Sequence, residues 1–507
     1  MAAYLLGAAY SLFNSNTPLK RHHPIMSSTY YVPTMSDPRA SNLSHTAKRV
    51  VDLLFFFNPD CIPRSLLAPP AAVVENQSYN FLKNKEELDQ AIAELIERSI
   101  IRINDNGNLV LSVSNPFEGI QDDLVNSAFS HAVRIFDRAL PDFSRPGYDS
   151  FKASQAVLPH IIRTIEVTKN IEIQERRKTG WMELVLRAGR YAQENQQPDL
   201  TTYFINYIIE EIQVPMFGAR MTHDFLSRTY ILQGHALLDL ARPRAALVSF
   251  KRVLQIEEDR YGPNSMAVAK VCDAIAYAYT ELGDADQASV FLRKADAIYA
   301  DKAPYFDTEG ADKKPYMTPR ARPIQSLVHL RAGQVDEAIS SLRRFWAERQ
   351  MTLESIEVSP DSNYGGDIIL FARICLAQGK AMEAQELASY SITMRRTFYG
   401  PHGGPRVADS LFLVALIQAD RGLTDVSSAV LRQIIDMCEG NSAALNAHLA
   451  RACWFLARNE ERDGSDATQV AELRARARQI RASISRHEWP AEDTDDAFMK
   501  MVSWMLW

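Results

Sequence analysis

The residues best suited to chemistry lie in the loop Tyr399-Gly400-Pro401-His402-Gly403-Gly404-Pro405, where backbone amides beside two adjacent glycines could cradle an anion. The same residues make an ordinary stop between helices, since Gly takes the left-handed cap and Pro prevents continuation. That plainer reading is favoured. Arg21-His22-His23 offers donors for a metal or an anion, but it falls in residues 14–44, a stretch rich in Ser, Thr, Pro and Asn without apolar periodicity. Such a composition cannot offset its ordering entropy, so residues 1–45 are expected to form a disordered tail with solvated histidines. Catalytic spacings are missing: the sequence holds no H-E-x-x-H, no G-x-S-x-G, no Gly-rich dinucleotide turn and no G-x-x-x-x-G-K-[ST] phosphate loop. No enzyme activity, cofactor, metal site or nucleotide is therefore predicted.

Composition narrows the partners further. Five cysteines, Cys61, Cys272, Cys375, Cys438 and Cys453, are far apart, odd in number and free of C-x-x-C spacing, which opposes both a disulfide framework and a zinc site. A reducing setting, cytoplasmic or nuclear, fits this usage. The net charge of −6 gives phosphates no attraction, so nucleic acid is not an expected partner. Met1 to Phe13 is apolar but lacks a basic flank, and no run reaches the roughly 18 apolar residues of a membrane span. What remains is recognition by shape. A chain of 507 residues exceeds what one compact core holds, so an extended array or several domains is expected.

An array is what the middle of the chain spells out. Gly234, Ala246, Phe250 and Val253 are followed 42 residues later by Ala276, Ala288, Leu292 and Ala295. Small residues at these spacings let two helices of a pair approach closely, and the large ones fill the gap to the next pair. Together with the turn Leu282-Gly283-Asp284, they resemble the tetratricopeptide repeat. Further turns are expected at Ala241, Gly333, Gly379 and Gly422, with a degenerate unit over Trp181 to Ile209 and a last pair over Ala443 to Ser485. A polar insertion, Asp301 to Arg322, separates the second and third units. The long period and the junctions Arg260-Tyr261-Gly262-Pro263 and Phe398-Tyr399-Gly400-Pro401 make the repeats similar to those of kinesin light chains. The resemblance implies where a ligand would lie, on the inner helices, at Arg228, Ile231, His235, Leu238 and Asp239 in one unit and Lys270, Asp273, Tyr277, Thr280 and Glu281 in the next. Mixed charge at these positions differs from the Lys and Asn clamp of chaperone-binding repeats. It suits a helical or extended peptide of a protein partner.

Before the array, Ala47 to Phe57, a short helix from Pro63 to Leu67, and Lys85 to Ser99 with Leu88, Ile92, Leu95 and Ile96 on one face read as three helices. Ile100 to Ile103 and Leu109 to Val113 around Asn104-Asp105-Asn106-Gly107 read as a hairpin. Helix, helix, helix, hairpin is a winged-helix-like order, and a DNA-reading role would place the third helix in the major groove. Lys83, Lys85 and Arg98 are outnumbered there by Glu86, Glu87, Asp89, Glu94 and Glu97, which phosphates would repel. Phe55-Phe56-Phe57-Asn58-Pro59-Asp60-Cys61-Ile62-Pro63, Ala93 to Ile101 and Leu158-Pro159-His160, followed by tandem repeats, resemble the C-terminal part of fungal STAND proteins, in which an NB-ARC ATPase precedes a winged helix and a repeat array. The departures are the missing phosphate loop and Val113-Ser114-Asn115-Pro116-Phe117 where that family tends to carry His-Arg-Leu-Val-Gln.

After the acidic run Glu492 to Asp496, residues Phe498 to Trp507 are strongly apolar and read either as a helix capping the last repeat or as an anchor. The expected organisation is a tail (1–45), a winged-helix-like α+β domain (46–118), a helical connector (119–177), a mainly α, right-handed tetratricopeptide-like solenoid (178–488), and an acidic linker with a capping helix (489–507). The expected function is a non-enzymatic protein-interaction scaffold or sensor. Its alternative is a transcription-linked regulator or an accessory protein of a fungal secondary-metabolite pathway.

Overall fold

The computed structural model describes residues 42–67, 77–112, 122–140, 148–169, 173, 179–212, 219–306, 321–348, 350–357, 364–399, 404–439, 445–484, 488–489 and 492–504. The chain divides into two compact units after Val125. Most of the expected N-terminal tail, residues 1–41, lies outside the described residues.

In the first unit the Ser44 hydroxyl accepts the Ala47 amide and so starts α1 (His45–Leu54). Two short 3-10 turns follow, Arg64–Leu67 and Gln77–Lys83. Asn84 caps α2 (Lys85–Glu97) through the amides of Glu86 and Glu87, whose carboxylates also suit the positive end of the helix. Strands β1 (Ile101–Ile103) and β2 (Leu109–Leu111) pair antiparallel, with Ile101 opposite Leu111. Gly107 takes φ +76° in the turn, and the Asn104 carboxamide accepts the Asn106 and Asn108 amides. Leu53, Leu54, Phe56, Phe57, Ile62, Leu95 and Leu109 are fully buried. Ile96, expected on the buried face, is 36% exposed and Ala91 is buried instead. Residues 88, 91, 92 and 95 follow the 3.6-residue period closely, whereas position 96 falls at the rim of that stripe.

The second unit begins within α3 (Asp122–Ala139) and continues with α4 (Tyr148–Thr168), where Phe136 stacks on the buried His160 at 5.8 Å. Seven helix pairs follow among the described residues. They are α5 (Thr179–Glu194) with α6 (Pro198–Ile212), α7 (Ala219–Asp239) with α8 (Pro243–Tyr261), and α9 (Met266–Glu281) with α10 (Ala285–Phe306). Next come α11 (Ala321–Arg331) with α12 (Val335–Glu348), a one-turn α13 (Leu353–Glu357), and α14 (Tyr364–Ala377) with α15 (Ala381–Tyr399). The last are α16 (Pro405–Asp420) with α17 (Thr424–Cys438), and α18 (Asn446–Arg462) with α19 (Ala467–Ile484). The insertion placed at Asp301 starts later, because α10 runs on to Phe306.

The spacing that suggested the repeat has a direct steric cause. A Cβ on Gly234 would stand 2.2 Å from the Phe250 ring, so only glycine lets α7 and α8 close on that phenylalanine. Ala246, Phe250, Val253, Ala276, Ala288, Leu292 and Ala295 are all buried. Burying one such phenylalanine contributes about 2–3 kcal/mol, which is what holds a pair together. Each pair turns through one residue at positive φ: Gln196, Ala241, Gly283, Gly333, Gly379, Gly422 and Gly464. At Gly283 the Asp284 amide donates to the Tyr279 carbonyl and the Gly283 amide to the Thr280 carbonyl, the two bonds of a Schellman cap. The chain is thus mainly helical, a tetratricopeptide-like solenoid with a small two-stranded sheet near its N-terminal end.

Candidate functional site: the inner face of the array

The first helix of each pair should line the inner face, and its expected positions are not equivalent. Arg228 is exposed and forks onto Glu183 of α5 at 2.5 and 2.9 Å, with Asp224 at 3.6 Å. Ile231 is half-buried. His235 turns to the outer helix of its own pair, its ring edge-on to Phe250 at 5.4 Å. Asp239 accepts from Gln193 of α5 at 3.2 Å, and burial pushes its carboxyl up to about 6 against the pull of Arg406. On α9, Lys270 is exposed while Asp273 is buried and accepts the Tyr299 hydroxyl of α10 at 2.7 Å. Burial raises the Asp273 carboxyl to about 8. Tyr277 is buried near Glu281 and Asp239. Glu281, 1% exposed, pairs with Arg331 of α11 at 2.8 Å.

Arg228, Asp239 and Glu281 therefore tie one inner helix to the next, whereas His235 and Asp273 stitch a pair internally. The linkage continues toward the C-terminal side. Asp409 on α16 lies between Arg373 on α14, at 2.9 and 3.0 Å, and Arg451 on α18, at 3.1 Å. All three side chains are buried. Burial alone would raise the Asp409 carboxyl, but Arg373, Arg451 and Arg395 hold it below the usual carboxylate range. Arg395 donates to the Arg406 carbonyl and the Ser410 hydroxyl, and Arg406 reaches Tyr399 at 2.6 Å and the Glu194 carbonyl at 3.0 Å. The Gln196 carboxamide accepts the Arg406 amide at 2.8 Å, which brings the start of α16 against the turn of the first pair. Sequence reasoning missed these arginines. Their signal was a charged residue inside an apolar helical run, with its opposite charge one repeat interval away.

The C-terminal segment also contacts this face, along with the α7–α8 turn and the outer helix α19. The Glu488 carboxylate accepts the Arg244 and Ala245 amides at the start of α8, at 2.8 and 3.0 Å. The Trp489 indole donates to the Ala241 carbonyl at 2.8 Å. Asp493 pairs with Arg478 and Arg481, and Asp495 accepts from Trp454 and Arg458. Thr494 caps α20 (Asp495–Lys500), whose Phe498 stacks on Trp454 at 4.1 Å. Met501 and Val502 are buried in the core of the last pairs. Beyond them, the Ser503 hydroxyl donates to the Leu238 carbonyl and the Trp504 amide to Glu281 at 3.0 Å. The Trp504 ring sits 4.5 Å from the Arg331 guanidinium and 4.7 Å from that of Arg373. Besides covering the last pair, this segment reaches α7, α9, α11 and α14.

Among the described residues no group of three His, Cys, Asp or Glu could hold a metal ion, and no helix is long and apolar enough to cross a membrane. Burial pushes the thiols of Cys272, Cys375 and Cys453 up to about 11 and that of Cys438 to about 12, which makes them poor nucleophiles. The loop residues 400–403, weighed above as an anion nest, lie outside the described residues.

Two family models match the chain: a tetratricopeptide repeat over residues 269–302, and a domain of unknown function, DUF7779, over residues 39–113. No curated protein matches it in sequence. Among solved structures, one of kinesin-light-chain-type, nearly identical tetratricopeptide-like repeats from Podosopora anserina is 19% identical. It covers 42% of this chain and 95% of its own at a TM-score of 0.30. The Rap conjugation gene regulator of plasmid pLS20, solved with the Phr* peptide, is 15% identical over 72% of this chain and 92% of its own, at 0.45. NprR with its cognate peptide NprX is 12% identical over 69% and 94%, at 0.43. At these values the likeness carries nothing about ligand or partner.

Proposed function

We propose that the chain is a non-enzymatic protein-interaction scaffold or sensor whose inner helices receive a peptide segment of a partner protein. One observation carries this reading: a peptide-sized stretch, residues 488–489 and 492–504, is held by several pairs of the array, at the α7–α8 turn, at Glu281 on α9 and against Trp454 on α18. Arg228 and Lys270, exposed on α7 and α9, are the inner-face positions open to a partner's charge, Arg228 through its exposed pair with Glu183. The N-terminal unit is read as a winged-helix-like module, supported by its order of helix, short turns, helix and hairpin. Its α2 helix is acidic, and Glu87 and Glu94 are engaged by Thr46 and Ser44, so protein packing suits it better than phosphate contact.

Affinity purification with the full chain tests the reading. Wild type is compared with Arg228→Glu and Lys270→Glu, with thermal melts to show that the fold is retained. Partners lost from both variants and kept by a charge reversal on an outer helix, such as Lys251→Glu, are the expected result. Identical partner sets for all four proteins would remove the inner face as the binding surface.

A further inference from the structure

We infer that residues 488–504 are a tethered competitor for the inner face, and that the partner displaces them with a segment of the same chemistry: carboxylates followed by a helical apolar face and an aromatic ring. The inference rests on the peptide-binding reading above and specifies its ligand. The pattern is set by what the array offers. Arg458, Arg478 and Arg481 receive Asp493 and Asp495, so an acidic stretch is needed at that end. Phe498, Met501 and Val502, spaced as one face of a helix, enter the core of the last pairs. Arg331 and Arg373 then hold a ring between them, while Glu281 accepts a backbone amide.

The seat is an imperfect one. The Trp504 indole N–H and the Nε donors of Arg331 and Arg373 are buried with no hydrogen-bond acceptor. Beside them lies a cavity of about 280 Å³ between the array, at Thr280, Val328 and Arg331, and the tail itself, at Asp496, Lys500 and Trp504. A competing segment that brings an acceptor here meets the Arg331 and Arg373 donors that the tail leaves unmet. It can therefore replace the tail even though a tethered segment acts at an effective concentration of order millimolar.

The test uses the full chain and a fluorescein-labelled synthetic peptide with the sequence of residues 488–504, read by anisotropy. Wild type should bind it weakly. Trp504→Ala in the protein should bind at least tenfold more tightly, because the resident end no longer fills the clamp. Glu488→Gln, which loosens the other end, should shift binding the same way and serves if Trp504→Ala is poorly folded. The same peptide carrying Trp504→Ala and Phe498→Ala should bind at least tenfold more weakly to the released protein. Equal binding by wild type and both released variants would overturn the competitor while leaving a peptide-binding face in place. Failure of all three proteins to bind, with partners still lost on Arg228→Glu and Lys270→Glu, would overturn this inference and leave the proposed function standing.

Discussion

The pair α9–α10 and the helices α14, α16 and α18 solve the same packing problem with different emphasis. In the first, Val268, Ala269, Cys272, Ala295 and Ile298 form a small apolar core with local partners. In the second, Arg373, Asp409 and Arg451 thread a buried charge ladder through successive inner helices, each partner one repeat away. Apolar packing tolerates imprecise neighbours, because it is not directional. A buried ion ladder does not, since each member removed strands the others. The C-terminal repeats are accordingly committed to one register, and they are also the ones that carry the tail and touch the first pair through Gln196 and Arg406.

Removing the centre of the ladder should have the largest effect. Asp409→Ala leaves Arg373 and Arg451 buried without their carboxylate, and an expected loss of about 3–5 kcal/mol would appear in urea denaturation. Cys272→Ala in the apolar pair should cost about 1 kcal/mol. If the two losses were equal, the contrast between the regions would fail.

Acid should separate them as well. His448, buried beside Arg451, Asp409 and Arg395, is held neutral by burial, which lowers its imidazole to about 3. The unfolded chain takes up this proton near 6.5, so the stability His448 contributes is complete above that pH and is lost as pH falls toward 3. At pH 5 the loss is about 2 kcal/mol. Comparing the pH dependence of unfolding for wild type and His448→Gln measures it; parallel curves would show that this histidine is not the sensitive group.

Gly234→Ala probes the local kind of packing. Its methyl would meet the Phe250 ring at 2.2 Å, and the ring, buried in the pair, must shift at a cost of about 1–3 kcal/mol. Thermal melting should show this loss, and a neutral outcome would mean that the α7–α8 pair is looser than its buried core suggests.

What the sequence made legible follows the same division. Gly234 and Ala246 with their echoes at Ala276 and Ala288 could be read because a small residue facing a large one leaves a periodic trace. The turns were readable where Gly283, Gly333, Gly379 and Gly422 mark a left-handed residue. Arg373 and Asp409 left no such trace, since a charge within a helix looks like a solvated face until its burial is known. Glu281 was picked out as an inner-face position, but its partners Arg331 and Trp504 lie 50 and 223 residues away, and no local pattern encodes such distances.

The smallest effect concerns the two turns without glycine. Gln196 and Ala241 hold φ of 60° and 59°, a conformation that costs a residue with a Cβ roughly 1 kcal/mol. Both are gripped from afar: Gln196 accepts the Arg406 amide, and the Ala241 carbonyl accepts the Trp489 indole. At Ala241 a glycine would relieve the backbone but lose a buried methyl worth about 0.8 kcal/mol, so Ala241→Gly should change stability by less than about 0.5 kcal/mol. Gly283→Ala, at φ +79° with no comparable grip, should cost about 1 kcal/mol. Removing the grip with Trp489→Phe should make Ala241→Gly stabilising, because the strain would then no longer be held by a distant bond. A double-mutant cycle over residues 241 and 489 reads that coupling, and strict additivity would mean that the C-terminal segment rests on the turn without restraining it.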